Sequence, residues 1–290
     1  LVVGLLNLLI VFGGVAFYVL LERKVLSYSQ NRKGPNKVGV LGILQSIADA
    51  LKLLAKSFGS LLEVSLLEFF LFPFFSLLIM INFWLFFTSF FSYYSISLGV
   101  LIIIVLLSLG VYPVLGSGWG SNSKYSVIGA VRGAAQSISY EVVLVFLLMW
   151  SLMFLFEKNN LVFSDVNLGI FFFLIFFLWV VSILCETNRA PFDFAEGESE
   201  LVSGFNIEYG SFPFTLLFLS EYGVILFLSV FSGVYFFGGV VGVFWGWFIS
   251  VIFLWVRSSF PRFRYDFLMS LCWGIFLPLT FVIFFIPNLI

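Results

Sequence analysis

Histidine is absent from all 290 residues, and cysteine occurs only at Cys185 and Cys272. Without histidine the bis-histidine haem site usual in membrane cytochromes cannot be built, and two thiolates are too few for a four-cysteine iron–sulfur cluster. The two cysteines lie far apart in apolar surroundings with no CxxC spacing, and they read as buried core thiols. No Walker loop and no GxGxxG fingerprint occurs, so no phosphate cradle of either kind is encoded. A net charge of −1, with no basic stripe and no zinc-finger spacing, speaks against a nucleic-acid partner. Charge itself is scarce, at 10% of residues, where a soluble domain carries about 25%. If the chain takes part in electron transfer, the electrons arrive from elsewhere.

What fills the sequence instead is hydrocarbon: 62% of residues are hydrophobic and the mean hydropathy is +1.15. One aqueous core could not hide so much apolar surface, so the chain is expected to dissolve in lipid. A spanning helix takes about 20 mainly apolar residues. Apolar runs of that kind fall near residues 1–21, 69–91, 98–115, 127–156, 168–185, 214–232, 238–256 and 267–286. Their residues do not alternate in polarity, which excludes barrel strands. The expectation is an all-α integral membrane protein, a single domain over 1–290 built as a bundle of about eight transmembrane helices. No basic segment precedes the run at Leu1–Leu21, so it is read as a retained first span rather than an import signal.

Basic residues give the bundle a direction. With eight spans, thirteen of the fourteen lysines and arginines fall at one side, in or beside segments 22–68, 116–126, 186–213 and 257–266, and only Lys158 falls at the other. That asymmetry is a strong positive-inside signal, and it turns both termini away from the basic side. Residues 42–58 are not a further span. Leu44, Ile47, Ala48, Leu51, Leu54, Ala55 and Phe58 recur at three- and four-residue steps, opposite Gln45, Asp49, Lys52 and Lys56. This predicts an amphipathic surface helix, serving either as a lipid anchor or as the wall of a polar cavity.

Several ionisable residues sit where lipid should exclude them. Glu141 falls near the middle of its predicted span, where a charge costs roughly 2.5–3.5 kcal/mol and normally faces a cavity or a partner. It is either a relay group or a permanently protonated, hydrogen-bonded packing group. Arg132, Gln136 and Tyr140 share one face of the same helix, whereas Arg132 and Glu141, nine positions apart, lie on opposite faces. Glu221 falls about three turns into another span, as a functional acid or a solvated entrance group. The stretch ETNRAPFDFAEGESELVSGFNIEYG, from Glu186 to Gly210, gathers six of the fifteen acids around one base, Arg189. Phe192, Phe194, Leu201, Phe205 and Tyr209 interleave Glu186, Asp193, Glu196, Glu198, Glu200 and Glu208. Asp193, Glu196 and Glu200 have the spacing of one face of a short helical turn. Acids mixed with aromatics suggest a folded segment lining a wet pocket, tolerated at membrane depth only inside protein, over a merely solvated loop.

Four stretches carry a resemblance: ERKVLSYSQNRKGPNKVG at 22–39, GAAQSISYEV at 133–142, the acidic segment itself, and PRFRYD at 261–266. Together they closely resemble the subunit 1 family of mitochondrial NADH:ubiquinone oxidoreductase, respiratory complex I, over essentially the whole chain. The resemblance implies an eight-helix membrane subunit joining the hydrophilic redox arm to the proton-pumping arm. It implies ubiquinone as substrate, held in a tunnel, with no FMN, NAD or iron–sulfur cluster bound by this chain. Partners would be redox-arm and membrane-arm subunits, with phospholipid around them. Residue by residue, Glu141 and Glu186 match buried relay carboxylates, and Asp193, Glu196, Glu198, Glu200 and Glu208 match acids continuing from the quinone chamber. Arg132, Arg189 and Glu221 match groups near that path, while Arg23, Arg32 and Asp49 match the quinone tunnel. The mitochondrial inner membrane follows, with the basic and acidic loops on the matrix side and the termini toward the intermembrane space. The 42 phenylalanines, whose codons are thymine-rich, point to a biased organellar genome and an invertebrate source. Two rivals share the field: a subunit of a membrane-bound hydrogenase or plastid-type complex with another electron donor, and a structural anchor without an ionisable path.

Overall fold

The structure, a computed structural model, describes residues 2–56, 65–91, 99–156, 173–193, 195 and 204–285. Every regular element among the described residues is helical: α1 (Val2–Ser29), α2 (Gln45–Ala55), α3 (Leu66–Phe91), α4 (Gly99–Gly120), α5 (Lys124–Phe156), α6 (Phe173–Glu186), α7 (Ser211–Phe237), α8 (Gly239–Ser259), α9 (Tyr265–Leu271) and α10 (Leu277–Phe285). A π-helical turn, Cys272–Phe276, joins α9 to α10, so the two form one long rod. Seven helical segments have the length and apolarity to cross a membrane. α6 is apolar but has 14 residues, about 21 Å of helix. The start of its predicted span, residues 168–172, lies outside the described residues. The all-α membrane class read from hydropathy therefore holds, and its eight spans correspond to seven long helices and one shorter one.

The helices overrun their hydropathy limits at the basic end. α1 continues through Glu22, Arg23 and Lys24 to Ser29, where the sequence limit was Leu21. Polarity does not stop a helix, and no Gly or Pro interrupts the chain between Gly14 and Gly34. α4 likewise runs to Gly120. The amphipathic helix is shorter than 42–58. A 3₁₀ turn at Val40–Gly42 precedes it, with Leu41 and Gly42 at positive φ, and it ends at Ala55. Its orientation is inverted relative to a water-facing helix: Gln45 and Asp49 turn inward against α1 and α7, while Ile47, Leu51 and Leu54 are exposed.

α7 is the hub, packed on α8, α3, α1 and α2, and it is buried almost continuously from Ile225 to Phe236. It meets α8 backbone to backbone. A Cβ on Gly233 would lie 2.2 Å from the Gly242 carbonyl oxygen and 2.3 Å from the Gly246 nitrogen, and one on Gly246 would lie 2.6 Å from the Val230 Cα. Gly242 and Gly246 are a small-xxx-small pair, the device by which membrane helices approach closely. Because the obstructing atoms are backbone, no side chain can rotate away. Gly233→Ala is therefore expected to force the pair apart, at the 1–3 kcal/mol or more of an overpacked core. It should lower the yield and melting temperature of the assembled protein, measured by native electrophoresis and thermal ramping.

Candidate functional site: a polar chain at the basic end of the bundle

The segments carrying the basic residues come together at one end. Arg257 pairs with Glu22, Arg262 pairs with Asp193 at 3.3 Å, the Phe263 amide donates to the Pro191 carbonyl at 3.1 Å, and the Tyr209 hydroxyl donates to the Ser117 carbonyl at 3.1 Å. Burial pushes the Tyr209 phenol above its ordinary range, so it remains a neutral donor there. Its ring stacks on Phe69 at 4.1 Å, which anchors the turn before α7 to α3.

Three spaces open off this end. The first is a cleft of about 150 Å³ between α1, α2 and α7, lined by Phe12, Val15, Val19, Leu53, Phe218 and Leu219, with Arg23, Gln45 and Asp49 at its polar side. Arg23 bonds Asp49 at 2.5 Å, and the Gln45 amide donates to the other Asp49 oxygen at 2.9 Å. The ion pair ties α2 to α1. The second is a small space of about 10 Å³ lined by Tyr18, Glu22, Thr187, Arg189, Tyr222 and Arg257. Glu22 is 5% exposed and is held from two sides, by Arg257 and by the Tyr222 hydroxyl at 2.5 Å. The Arg189 guanidinium lies over the Tyr222 ring, 4.2 Å from its centre, and pairs with Glu221 at 3.2 Å.

Glu221 also lines the third space, a cavity of about 130 Å³ between α3, α4, α5, α7 and the loop after α6. Ser76, Ser137, Ser220, Glu186, Thr187 and Asn188 supply its polar groups. The Ser220 and Ser76 hydroxyls bond across it at 3.0 Å. Glu186 Oε2 and Asn188 Oδ1 are buried without a hydrogen-bond partner among the described residues. The rest of its lining is apolar, and a cavity of this size has room for ordered water beside those polar groups, which satisfies them. Glu141, on α5, is half-buried and does not line this cavity, but its charge bears on Glu186.

Of the residues read from sequence, Glu141, Glu186, Arg189 and Glu221 thus join one chain of groups, and Arg23 and Asp49 meet at the cleft. Arg32 does not line that cleft; it is exposed and bonds Gln30 at 2.9 Å. Arg132 is half-buried on α5, 6.0 Å over the Tyr265 ring. Asp193 is buried and non-helical, two residues after Pro191, and the rest of the helical turn expected from its spacing lies outside the described residues. Glu208 is half-buried in the turn before α7. Glu196, Glu198 and Glu200 lie outside the described residues.

Sequence reasoning missed Glu22, Tyr222, Asn188, Arg257 and Arg262 as members of the site. For Glu22 a signal existed. Val11, Val15, Tyr18 and Glu22 form one buried stripe at steps of four, three and four, and an acid continuing an apolar stripe must find a partner inside. Placing the helix end at Leu21 concealed it.

The sequence matches the family model described as NADH dehydrogenase over residues 3–287. It is similar to the NADH-ubiquinone oxidoreductase chain 1 of Anopheles gambiae, 48% identical over 286 residues, covering 96% of this chain and 91% of that one. The protein of the same name from Heterololigo bleekeri is 45% identical over 287 residues, 95% and 92% of the two chains. That of Salmo salar is 46% identical over 281 residues, 92% and 87%.

Proposed function

This chain belongs to the NADH dehydrogenase family, and on that premise we propose that it is a membrane subunit of NADH:ubiquinone oxidoreductase that walls the ubiquinone path and begins the carboxylate route to the proton pump. In this reading it is a multi-pass protein of the mitochondrial inner membrane. Its basic end faces the matrix and receives the hydrophilic redox-arm subunits, its other flanks meet membrane-arm subunits and phospholipid, and flavin, nicotinamide and iron–sulfur clusters belong to its neighbours.

One observation carries the proposal: Phe218 belongs to both systems. It lines the apolar cleft and packs on Tyr222 with ring centres 4.5 Å apart, and the Tyr222 hydroxyl donates to Glu22. The cleft has the chemistry a ubiquinone needs, apolar walls for an isoprenoid tail and an Arg–Asp–Gln side for a polar head. The exposed apolar face of α2 would seat its mouth in the lipid, where the substrate is dissolved. From Tyr222 the polar groups continue through Arg189, Glu221 and the cavity to Glu186 and Glu141. Reduction of a quinone draws two electrons and two protons, so charge changes at the head of the cleft. Carboxylates a few ångströms apart repel by several kcal/mol at an effective dielectric near 20, enough for one change of protonation to bias the next.

A plug tests the cleft. Ala16 and Ala50 line it, and Ala16→Trp or Ala50→Trp should fill it. Expected in the assembled complex is a loss of NADH:ubiquinone reductase activity of about 100-fold, the scale on which misplaced substrates lose rate. NADH:ferricyanide activity, which draws electrons upstream of the quinone, should persist. Undiminished ubiquinone reduction with the cleft filled would refute the assignment.

A further inference from the structure

We propose that Gln136 is a positioning residue that sets the places of two of the carboxylates, Glu186 and Asp193, through their backbone. The inference rests on the carboxylate route proposed above and names a residue that holds it in register. Gln136 is fully buried on α5. Its amide nitrogen donates to the Cys185 carbonyl at 2.7 Å and to the Phe192 carbonyl at 2.8 Å. A glutamine amide has two N–H groups, so this one is fully committed, one hydrogen to each carbonyl. Those carbonyls belong to the residues immediately before Glu186 and Asp193.

The position is demanding. Cys185 lies in the last turn of α6, where helix carbonyls lose their intrahelical donors. The Ile183 carbonyl is taken by the Thr187 amide and hydroxyl, and the Cys185 carbonyl also receives the Asn188 amide at 3.3 Å. For the Phe192 carbonyl, Gln136 is the donor the structure provides. The loop is also pinned from its other side, where the Phe263 amide meets the Pro191 carbonyl, Phe263 stacks on Phe192 at 5.5 Å, and Arg262 holds Asp193. Residues 186–193 are therefore clasped between α5 and the segment before α9. Gln136 is the inner jaw, and it rides on the helix that carries Glu141 five residues further on.

Two variants separate positioning from packing. Gln136→Met keeps the bulk and removes both donors; Gln136→Glu keeps the shape but offers one donor at most. Expected for both is an assembled complex whose kcat for ubiquinone reduction falls on the order of ten-fold, the cost of small misplacements in a reacting array. KM for a short-chain quinone should be unchanged, because the cleft is untouched. Combined with Glu186→Gln, Gln136→Met should add little further loss, since residues acting as a unit are non-additive. Wild-type kcat in either assembled variant would overturn the proposal, as would full additivity with Glu186→Gln. Loss of assembly in both variants would overturn it too, making Gln136 a packing residue. If Glu186→Gln alone leaves turnover intact, the carboxylate route fails first; if it impairs turnover and Gln136→Met does not, the positioning inference alone fails.

Discussion

A subunit carrying Glu141→Gln is expected to assemble normally and to lose most of its coupled ubiquinone reductase activity. The substitution preserves shape and hydrogen bonding on α5 and removes only the capacity to exchange a proton. Glu141 is half-buried, so its amide replacement strands no partner, and a stability penalty should be small, within about 0.5 kcal/mol. Its effect enters through Glu186, which feels the Glu141 charge. With Glu141 permanently neutral, a change at Glu186 has no titratable neighbour to pass to on that side. The measurement pairs NADH:ubiquinone turnover per assembled complex with proton uptake in sealed vesicles. A reduction of on the order of ten-fold or more, the range general acid–base groups contribute, is the expected result. Pumping turnover equal to wild type would remove Glu141 from the route and favour its being a neutral packing group.

Arg257→Met should be damaging in a different way. Glu22 is 5% exposed, and Arg257 supplies the charge that compensates it; the Tyr222 hydroxyl alone is a neutral donor. Removing one partner of a buried pair typically costs about 3–5 kcal/mol, because the remaining charge stays desolvated, whereas replacing both can be nearly neutral. Arg257 is 29% exposed, which admits some solvent relief and places the expectation toward the lower end. The single variant should show reduced assembly and a lower melting temperature. Glu22→Gln together with Arg257→Met should recover most of that stability without recovering quinone turnover, because the Tyr222–Glu22 link is altered. A double variant as unstable as the single one would mean that Arg257 acts through contacts other than Glu22.

The membrane class was legible for a simple reason. In lipid every backbone donor must be satisfied inside the protein, by a helix or a closed barrel, so a long apolar run without alternation has essentially one conformation, and counting such runs recovers the helices. The inward turn of Asp49 was half legible: the stripe Gln45, Asp49 was visible in the spacing, with the wall of a polar cavity as one of two readings, and the packing of α2 on α1 and α7 places it at a cleft. The acidic segment announced itself by composition, yet Arg32, selected by the same motif reading as Arg23 and Asp49, is exposed beside Gln30 and does not line their cleft. Motif membership says which residues matter together; it does not say which atoms touch.

Hydropathy, the one-sided placement of lysine and arginine, and the concentration of acids after α6 follow from local chemistry, and each can be read along the chain without knowing how it folds. The partnerships cannot. Glu22 and Arg257 are 235 positions apart and Glu22 and Tyr222 are 200 apart. They meet because Gly233, Gly242 and Gly246 let α7 and α8 touch backbone to backbone and because α1 packs on both. Close packing of helices converts three separately costly charged or polar groups into one satisfied cluster, and that gain exists only after the helices have docked.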